Sequence, residues 1–591
     1  MKPAAAQAGA KAAPHWLPGG RAQVAGLLAQ EWDLLVVGGG ITGAGILLEA
    51  SRRGLRALLV EQRDFAWGTS SRSSKLVHGG LRYLKEGQFG LTRESVHERD
   101  ALLRDAPGLV EPLGFAFGDY AGRKPGRRAF LLGLAIYDRM AGQRARHYFG
   151  AQEFLAMAPH IRKEGLQGGI CYQDARTDDA RLVMRVLQEA QSHGGVALNY
   201  CAVQSLLRDD ATVLPAAGGA YTPGDAAGAK TSTGPALTIG AAIATLGAHS
   251  HADTGAAGRV RGARVRCAIS GETHEVRAKL VVNATGAWAD RLHDKPAARL
   301  RPLRGSHLVL PAWRLPLAQA ISLMHPHDGR PVFAFPWEGV TIVGTTDVDH
   351  RTDLQQEAAI TQEETDYLMA ALHDQFPTLA ISEADVLATY AGVRPVIDTG
   401  KADPSKEARD HVLWQQDGLL TVTGGKLTTF RAIALDVLRH AAPQLQHWQA
   451  DLAPSAIFAP PAGSTEAASL ARSWSLPPGQ ARRLQGRYGA QAEAVVAAAQ
   501  EGELEEIPGT ETLWVQLRWA ARHESVQHLE DLMLRRSRLG ILLAKGGAAV
   551  LGRVRPICQA ELGWDDQRWA AEEAAYLALC RSNYSLPKAR E

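Results

Sequence analysis

Residues 33–61 carry a strand–turn–helix–strand pattern that constrains the fold more than any other part of the chain. Asp33-Leu34-Leu35-Val36-Val37 is a short apolar run of the kind a buried parallel strand carries. Gly38, Gly40 and Gly43 follow as G-x-G-x-x-G, with Gly39 and Thr42 inside the turn, and a helical pattern occupies Ile41 to Arg53. The first glycine permits the tight turn, the second admits a pyrophosphate against backbone, and the third lets helix and strand pack closely. Free N–H groups and the positive dipole end favour an anion at that helix N-terminus. A second strand, Ala57 to Val60, ends at Glu61, a carboxylate placed to bind ribose hydroxyls and to disfavour a 2′-phosphate. The register predicts a dinucleotide site in which NADP is a poor occupant.

Directly after it, Gly68 to Leu84 reads Gly-Thr-Ser-Ser-Arg-Ser-Ser-Lys-Leu-Val-His-Gly-Gly-Leu-Arg-Tyr-Leu. The run has almost no apolar period, so core packing does not explain it. Its hydroxyls (Thr69, Ser70, Ser71, Ser74), Lys75, His78, Gly79 and Gly80 fall where the reactive end of a bound cofactor belongs. Two later strands also end in glycine. Lys279 to Trp288 runs into Ala284-Thr285-Gly286, and Leu419 to Lys426 runs into Gly424-Gly425-Lys426-Leu427. Either one alone reads equally well as an ordinary strand-to-loop turn. Together with the first glycine turn they suit an extended cofactor held along its length, FAD as a prosthetic group rather than exchangeable NAD.

At these residues the chain resembles the FAD-dependent glycerol-3-phosphate dehydrogenases. The resemblance is carried by Gly68 to Leu84, Asn-Ala-Thr-Gly-Ala-Trp (283–288), Arg-Gly-Ser-His (304–307), Gly-Thr-Thr-Asp (344–347), Gly-Val-Arg-Pro (392–395) and Gly-Gly-Lys-Leu-Thr-Thr (424–429), in the family's order. It implies oxidation of sn-glycerol 3-phosphate to dihydroxyacetone phosphate, with electrons leaving the reduced flavin for a membrane quinone. Cofactor contacts are then expected from Gly38, Gly39, Gly40, Thr42, Gly43, Glu61, Thr69, Ser70, Ser71, Ser74, Lys75, His78, Gly79, Gly80, Thr285, Gly286, Trp288, Gly425, Lys426 and Leu427.

Such an oxidation removes a hydroxyl proton while a hydride leaves the same carbon, so the site needs a base, a charge stabiliser and a phosphate grip. His307 by itself reads as a strand-end histidine; its match to Arg-Gly-Ser-His implies the general base, a role that suits a neutral imidazole. Arg394 does not readily lose its proton and is assigned to the developing alkoxide and the substrate oxygens. His78 is a second candidate base. The phosphate clamp inferred from the family pattern is Arg82 with Tyr83, Arg394, Arg409 and Lys426; Arg409 also reads as a solvated loop charge.

At 591 residues the chain is too long for one core, and a net charge of +3 excludes a generally nucleic-acid-like surface. The five cysteines form no C-x-x-C and read as reduced structural thiols, and no metal-ligand cluster appears. The expected fold class is α/β: an FAD-binding Rossmann-like domain, an antiparallel-sheet substrate domain and a C-terminal all-helical domain. Residues 1–30 read as a flexible arm that could dock Trp16 and Leu17. Residues 31–440 form the oxidoreductase region, with cofactor segments about 31–110, 161–208, 261–300 and 385–440 and substrate segments about 111–160 and 301–384. Residues 209–260 are rich in Ala, Gly, Thr and Ser and read as a mobile insertion. Residues 445–591 read as a separate helical domain with Trp514, Leu517, Leu529, Leu532 and Leu534 in its core.

No run approaches the roughly 18–20 apolar residues of a spanning helix. Between residues 121 and 147, Arg123, Lys124, Arg127, Arg128, Arg139, Arg144 and Arg146 alternate with Phe130, Leu131, Leu132, Leu134, Ile136, Tyr137 and Met140. This stretch fits peripheral contact with an anionic lipid surface, and also fits a core helix with charged ends. The expected location is cytoplasmic, peripherally on the cytoplasmic membrane. The expected partners are sn-glycerol 3-phosphate, a membrane quinone, anionic lipid and, as a homodimer, a second copy of the chain, without nucleic acid. Rival readings are an oxidase that uses molecular oxygen, a related FAD-dependent amine or amino-acid oxidase, and a flavoprotein scaffold without turnover.

Overall fold

The computed structural model describes residues 23–81, 84, 87–123, 126–142, 145–209, 258–293, 300–400, 410–449, 451–459 and 467–589. Trp16, Leu17, Arg82, Tyr83, Lys124, Arg144, Arg409 and nearly all of the insertion, residues 210–257, lie outside the described residues.

Strand Glu31–Val37 pairs in parallel with Thr273–Asn283 on one side and Ala57–Val60 on the other. Leu419–Gly424 and Val196–Leu198 extend the parallel set at its two edges. Strands His411–Gln416, Val260–Cys267 and Cys201–Arg208 join by antiparallel pairing, giving eight strands among the described residues. The near-continuous apolar runs of the parallel strands require cover on both faces. Helices Ile41–Ser51, Asp179–Ser192 and Phe430–Ala441 pack on one face. On the other, Val24 and Leu28 of the short helix Val24–Leu28 are buried against Trp32, Leu35 and Val281. The expected arm therefore does not reach residue 30, because these two apolar side chains seal the sheet.

A second sheet has ten strands among the described residues. Its strand Leu300–Pro311 pairs antiparallel with Ala388–Ile397 and with Val340–Gly344. One pairing departs from the antiparallel expectation: Ala320–Met324 runs parallel to Val110–Tyr120. Leu166–Thr177 and Ala388–Ile397, expected in cofactor segments, also belong to this sheet. Leu166–Thr177 pairs along its length with Val110–Tyr120, a partner that local composition does not reveal.

The C-terminal region is helical, as expected, but its core is not separate. Trp514, Leu517, Leu529, Leu532 and Leu534 are buried in the same cluster as Phe335, Trp337 and Tyr390 of the second sheet. A smaller cluster around Leu484, Tyr488, Val495 and Val515 is its own. Buried charges key the region to the loop after Glu61. Asp64 accepts from Arg535 at 2.5 Å and from Arg536 at 2.7 Å. Burial pushes the Asp64 pKa up, but Arg536 and Arg535 outweigh it and hold the carboxyl down to about 2. Removing one member of such a buried pair typically costs about 3–5 kcal/mol, since the other charge is left stranded.

Candidate active site

A cavity of about 470 Å³ is lined from both sheets, within the roughly 300–1,000 Å³ typical of ligand and cofactor pockets. Gly38, Gly40, Thr42, Glu61, Thr69, Ser70, Ser74, His78, Thr285, Gly286, Trp288, Gly425, Lys426 and Leu427 line it, together with His307 and Arg394. Gly38 has a φ of +116°, and a Cβ there would lie 2.5 Å from the Ala284 carbonyl oxygen, so the turn requires glycine. Behind it, a Cβ on Gly43 would meet the Gly38 carbonyl oxygen at 1.9 Å. Gly43 therefore works through close packing of helix on strand and does not line the cavity. Gly39 also stays behind the wall, its N–H donating to Glu61 Oε2 at 2.7 Å. Glu61 Oε1 accepts from the Arg63 N–H at 2.9 Å. Burial of Glu61 pushes its pKa up, against these two hydrogen bonds.

Donors without acceptors test whether a cofactor fits here. Trp67 Nε1, Trp288 Nε1 and His307 Nδ1 are buried with no hydrogen-bond partner, and all three residues line the cavity. A buried unsatisfied polar group costs about 1–3 kcal/mol, which a ligand acceptor relieves. Ile41 N–H at the helix N-terminus donates to Ser70 Oγ at 2.9 Å. Glu61, the glycine turn and these donors match the ribose, pyrophosphate and heteroatom-rich ring of FAD.

Besides Gly39 and Gly43, four further expected cofactor residues, Ser71, Lys75, Gly79 and Gly80, do not line the cavity, for reasons of packing and charge. Lys75 is fully buried with Nζ 2.9 Å from Asp179 Oδ1 and 3.1 Å from the Ser71 carbonyl oxygen. Burial, then Arg538, push its pKa down to about 8 against the pull of Asp179. Ser71 is buried, and its carbonyl also accepts from Arg538 at 2.7 Å. Gly79 N–H donates to Tyr137 Oη at 3.0 Å and to Asp174 Oδ1 at 3.1 Å, and a Cβ there would sit 2.2 Å from that phenol oxygen. Gly80, the next turn residue, has a φ of +78°. Lys75 and Ser71 brace the loop that presents Ser74.

The chemical end is built on two adjacent antiparallel strands. His307 lies opposite Tyr390, Gly305 opposite Gly392, and Leu303 opposite Arg394. Side chains two apart share a face, so His307 and Arg394 flank a gap floored by two glycines, both of which line the cavity. A Cβ on Gly305 would lie 2.8 Å from an Arg394 guanidinium nitrogen, and one on Gly392 would lie 2.5 Å from the Arg72 carbonyl oxygen. His307 Nε2 is 2.9 Å from Ser74 Oγ, and its ring stacks on Tyr390 at 4.5 Å and 11°. Burial, then the Lys75 and Arg394 cations, hold the His307 pKa well below the ordinary 6.5. Arg394 donates to the Thr346 carbonyl and to Asp347 Oδ1, each at 3.1 Å. Asp347 Oδ2 also faces Arg330 at 3.2 Å. Lys426 Nζ donates to Ser95 Oγ at 3.0 Å.

The Gly-Thr-Thr-Asp motif at 344–347 points to Asp347 but gives it no role, and Arg330, Trp67 and the pairing of the two glycines do not emerge from the sequence. The motif itself was a signal for Asp347. The glycine floor and Arg330 depend on pairing between distant strands and left no local signature.

The comparisons with known proteins agree with this geometry. The FAD dependent oxidoreductase family matches residues 33–232 and 215–435. The C-terminal domain of alpha-glycerophosphate oxidase matches residues 460–569. The fold and the cavity thus define an FAD-dependent oxidoreductase, and FAD is the cofactor. The aerobic glycerol-3-phosphate dehydrogenase of Staphylococcus haemolyticus is 33% identical over 530 residues, covering 86% of this chain and 87% of that protein. Its counterpart in Staphylococcus epidermidis is 34% identical over 529 residues, covering 86% of each. Among solved structures, the Bacillus halodurans glycerol-3-phosphate dehydrogenase complexed with FAD superposes with a TM-score of 0.67 at 26% identity, covering 96% of this chain and 98% of that one. The L-alpha-glycerophosphate oxidase of Mycoplasma pneumoniae, with FAD bound, shares the fold at a TM-score of 0.52 and 16% identity, covering 73% of this chain and 98% of that one. The chain belongs to the aerobic glycerol-3-phosphate dehydrogenase family.

Proposed function

We propose that this protein oxidises sn-glycerol 3-phosphate to dihydroxyacetone phosphate and passes the electrons to a membrane quinone. The observation that carries the reading is the glycine-floored gap between His307 and Arg394 in the wall of the cofactor cavity. FAD, when bound, supplies the hydride acceptor. His307 takes the hydroxyl proton at Nε2, where the substrate hydroxyl replaces Ser74 Oγ as hydrogen-bond partner. Its depressed pKa keeps the ring neutral, the form a general base requires. Arg394, held by Asp347 and the Thr346 carbonyl, faces the oxygen on which charge develops. Lys426, with Arg82, Tyr83 and Arg409, grips a phosphate carrying about −1.5 to −2 charges.

Quinone as acceptor requires contact with lipid. Helix Arg127–Ala141 turns Leu134, Tyr137 and Asp138 inward. Outward it presents Leu132, 65% exposed, and Ile136, with exposed Arg128 and Arg139 beside them. Phe89, also exposed, starts helix Phe89–Asp105, which packs on the same helix. Not every cation of this stretch is available to lipid: Arg146 pairs with Asp138 at 2.5 Å, and Arg123 lies over the Phe117 ring at 4.8 Å. No helix among the described residues is long and apolar enough to cross a membrane. The patch supports peripheral attachment to the cytoplasmic membrane.

Steady-state kinetics with sn-glycerol 3-phosphate and a soluble quinone test the assignment. His307→Ala is expected to lower kcat by about 10²–10⁴ with a smaller change in KM. Arg409→Ala is expected to raise KM while kcat changes little, because remote phosphate contacts are alike in ground and transition states. The reverse pattern overturns the roles.

A further inference from the structure

At the Glu61 end of the cavity two thiols face each other. Strand Cys201–Arg208 runs antiparallel to Val260–Cys267, with Cys201 directly opposite Cys267. Cys201 N–H donates to the Glu61 carbonyl at 2.7 Å, and Cys267 N–H donates to the Glu272 carbonyl at 2.9 Å. Neither N–H points across the pair, so this is a non-hydrogen-bonded position. The Ala268 N–H, donating to the Tyr200 carbonyl at 2.8 Å, closes the next rung. Cα atoms at such positions lie about 4.5 Å apart, inside the span of about 4.4–6.8 Å that a disulfide bridges.

The surroundings separate this pair from the other cysteines. The Cys267 thiol is hydrogen-bonded to Cys201 and, with help from Ser270 and Ile269, is held down to about 4. Burial instead pushes Cys171 and Cys580 up to about 11 and Cys558 up to about 12. Thiolates are the reactive form. Both members of the pair are buried, and Cys201 forms part of the cavity wall.

We propose that Cys201 and Cys267 are a redox-modification site, converted by hydroperoxide to a cross-strand disulfide that loosens the cofactor at Glu61. The inference rests on FAD occupying the cavity and not on the substrate assigned above. The Cys267 sulfur attacks one peroxide oxygen. An S–O bond forms, the O–O bond breaks, the sulfur is oxidised by two electrons, and the released hydroxide leaves as water after taking a proton. Cys201 then attacks the sulfenic sulfur. The S–S bond forms, the S–O bond breaks, and the second hydroxide leaves as water with the Cys201 proton. Two thiols and one hydrogen peroxide thus give one disulfide and two waters. The new bond draws on Cys201, whose N–H is bonded to the residue that supplies the ribose carboxylate.

The test uses the full-length, FAD-loaded protein treated with hydrogen peroxide. The intact mass is expected to fall by two hydrogens, and a peptide map should join Cys201 to Cys267. FAD should leave the protein several-fold faster on dilution, with dithiothreitol reversing both changes. Cys201→Ser should abolish the bridge and leave Cys267 trappable by dimedone as a sulfenic acid; Cys267→Ala should abolish both signals. Should both thiols remain open to alkylation after peroxide treatment, the site is overturned. A bridge that forms without faster FAD release overturns its link to the cofactor. Failure of sn-glycerol 3-phosphate as a substrate would leave all these readouts unchanged.

Discussion

His307 is kept neutral by where it sits, not by a hydrogen-bonded carboxylate. It is buried beside Ser74 and Tyr390, with the Lys75 and Arg394 cations opposing a third charge. A histidine whose folded pKa lies below 6.5 must be deprotonated for the fold to be at ease, so its contribution is complete above 6.5 and lost as pH falls toward the folded value. Relative to His307→Gln, the parent protein should therefore lose stability as pH falls below 6.5, at a slope that approaches about 1.4 kcal/mol per pH unit between 6.5 and the folded value. Denaturation midpoints of the two proteins measured above and below that pH check this, and parallel curves would count against it. Asp347 acts on Arg394 at one remove, since its carboxylate bridges Arg394 and Arg330. Asp347→Asn keeps the shape and removes the charge that aims the guanidinium. We expect kcat/KM for sn-glycerol 3-phosphate to fall on the order of 10- to 100-fold, mostly through kcat. An unchanged kcat/KM would show that Arg394 needs no such support.

The elements differ in how openly the sequence announced them. Strand Glu31–Val37, the glycine turn and helix Ile41–Ser51 were legible because their contacts are local, as with Gly43 against Gly38. The Gly68 to Leu84 run located the cavity wall but overstated it. Lys75 turns inward because Asp179, far along the chain, neutralises it there. The facing glycines 305 and 392 belong to motifs that were read, yet their pairing exists only in the register of two distant strands. Helix Arg127–Ala141 was legible as basic and apolar, whereas its division into inward and outward faces needed the fold. Neutralising Arg128 and Arg139 together should weaken binding to anionic vesicles about 30-fold at low salt, at roughly 1 kcal/mol per cation. Co-sedimentation measures it, and a parent protein that stays in the supernatant at low salt rules out the membrane contact.

As a whole, the molecule is two sheets closing on one cofactor, with the helical C-terminal region packed as a shared third wall. That region reaches the site through Arg538 on the Ser71 carbonyl and through Arg535 and Arg536 on Asp64, a few residues beyond Glu61. The helical pattern of residues 445–591 does not reveal these contacts, because the apolar pattern of a helix does not say whose core it completes. The central claim concerns the joint product of these parts, an FAD reduced by one phosphorylated alcohol. The purified yellow protein, mixed without oxygen with sn-glycerol 3-phosphate, tests it directly. The flavin absorption should bleach rapidly with that substrate and persist when an amino acid takes its place. Absorption that survives sn-glycerol 3-phosphate, or that bleaches equally with the amino acid, would contradict the claim.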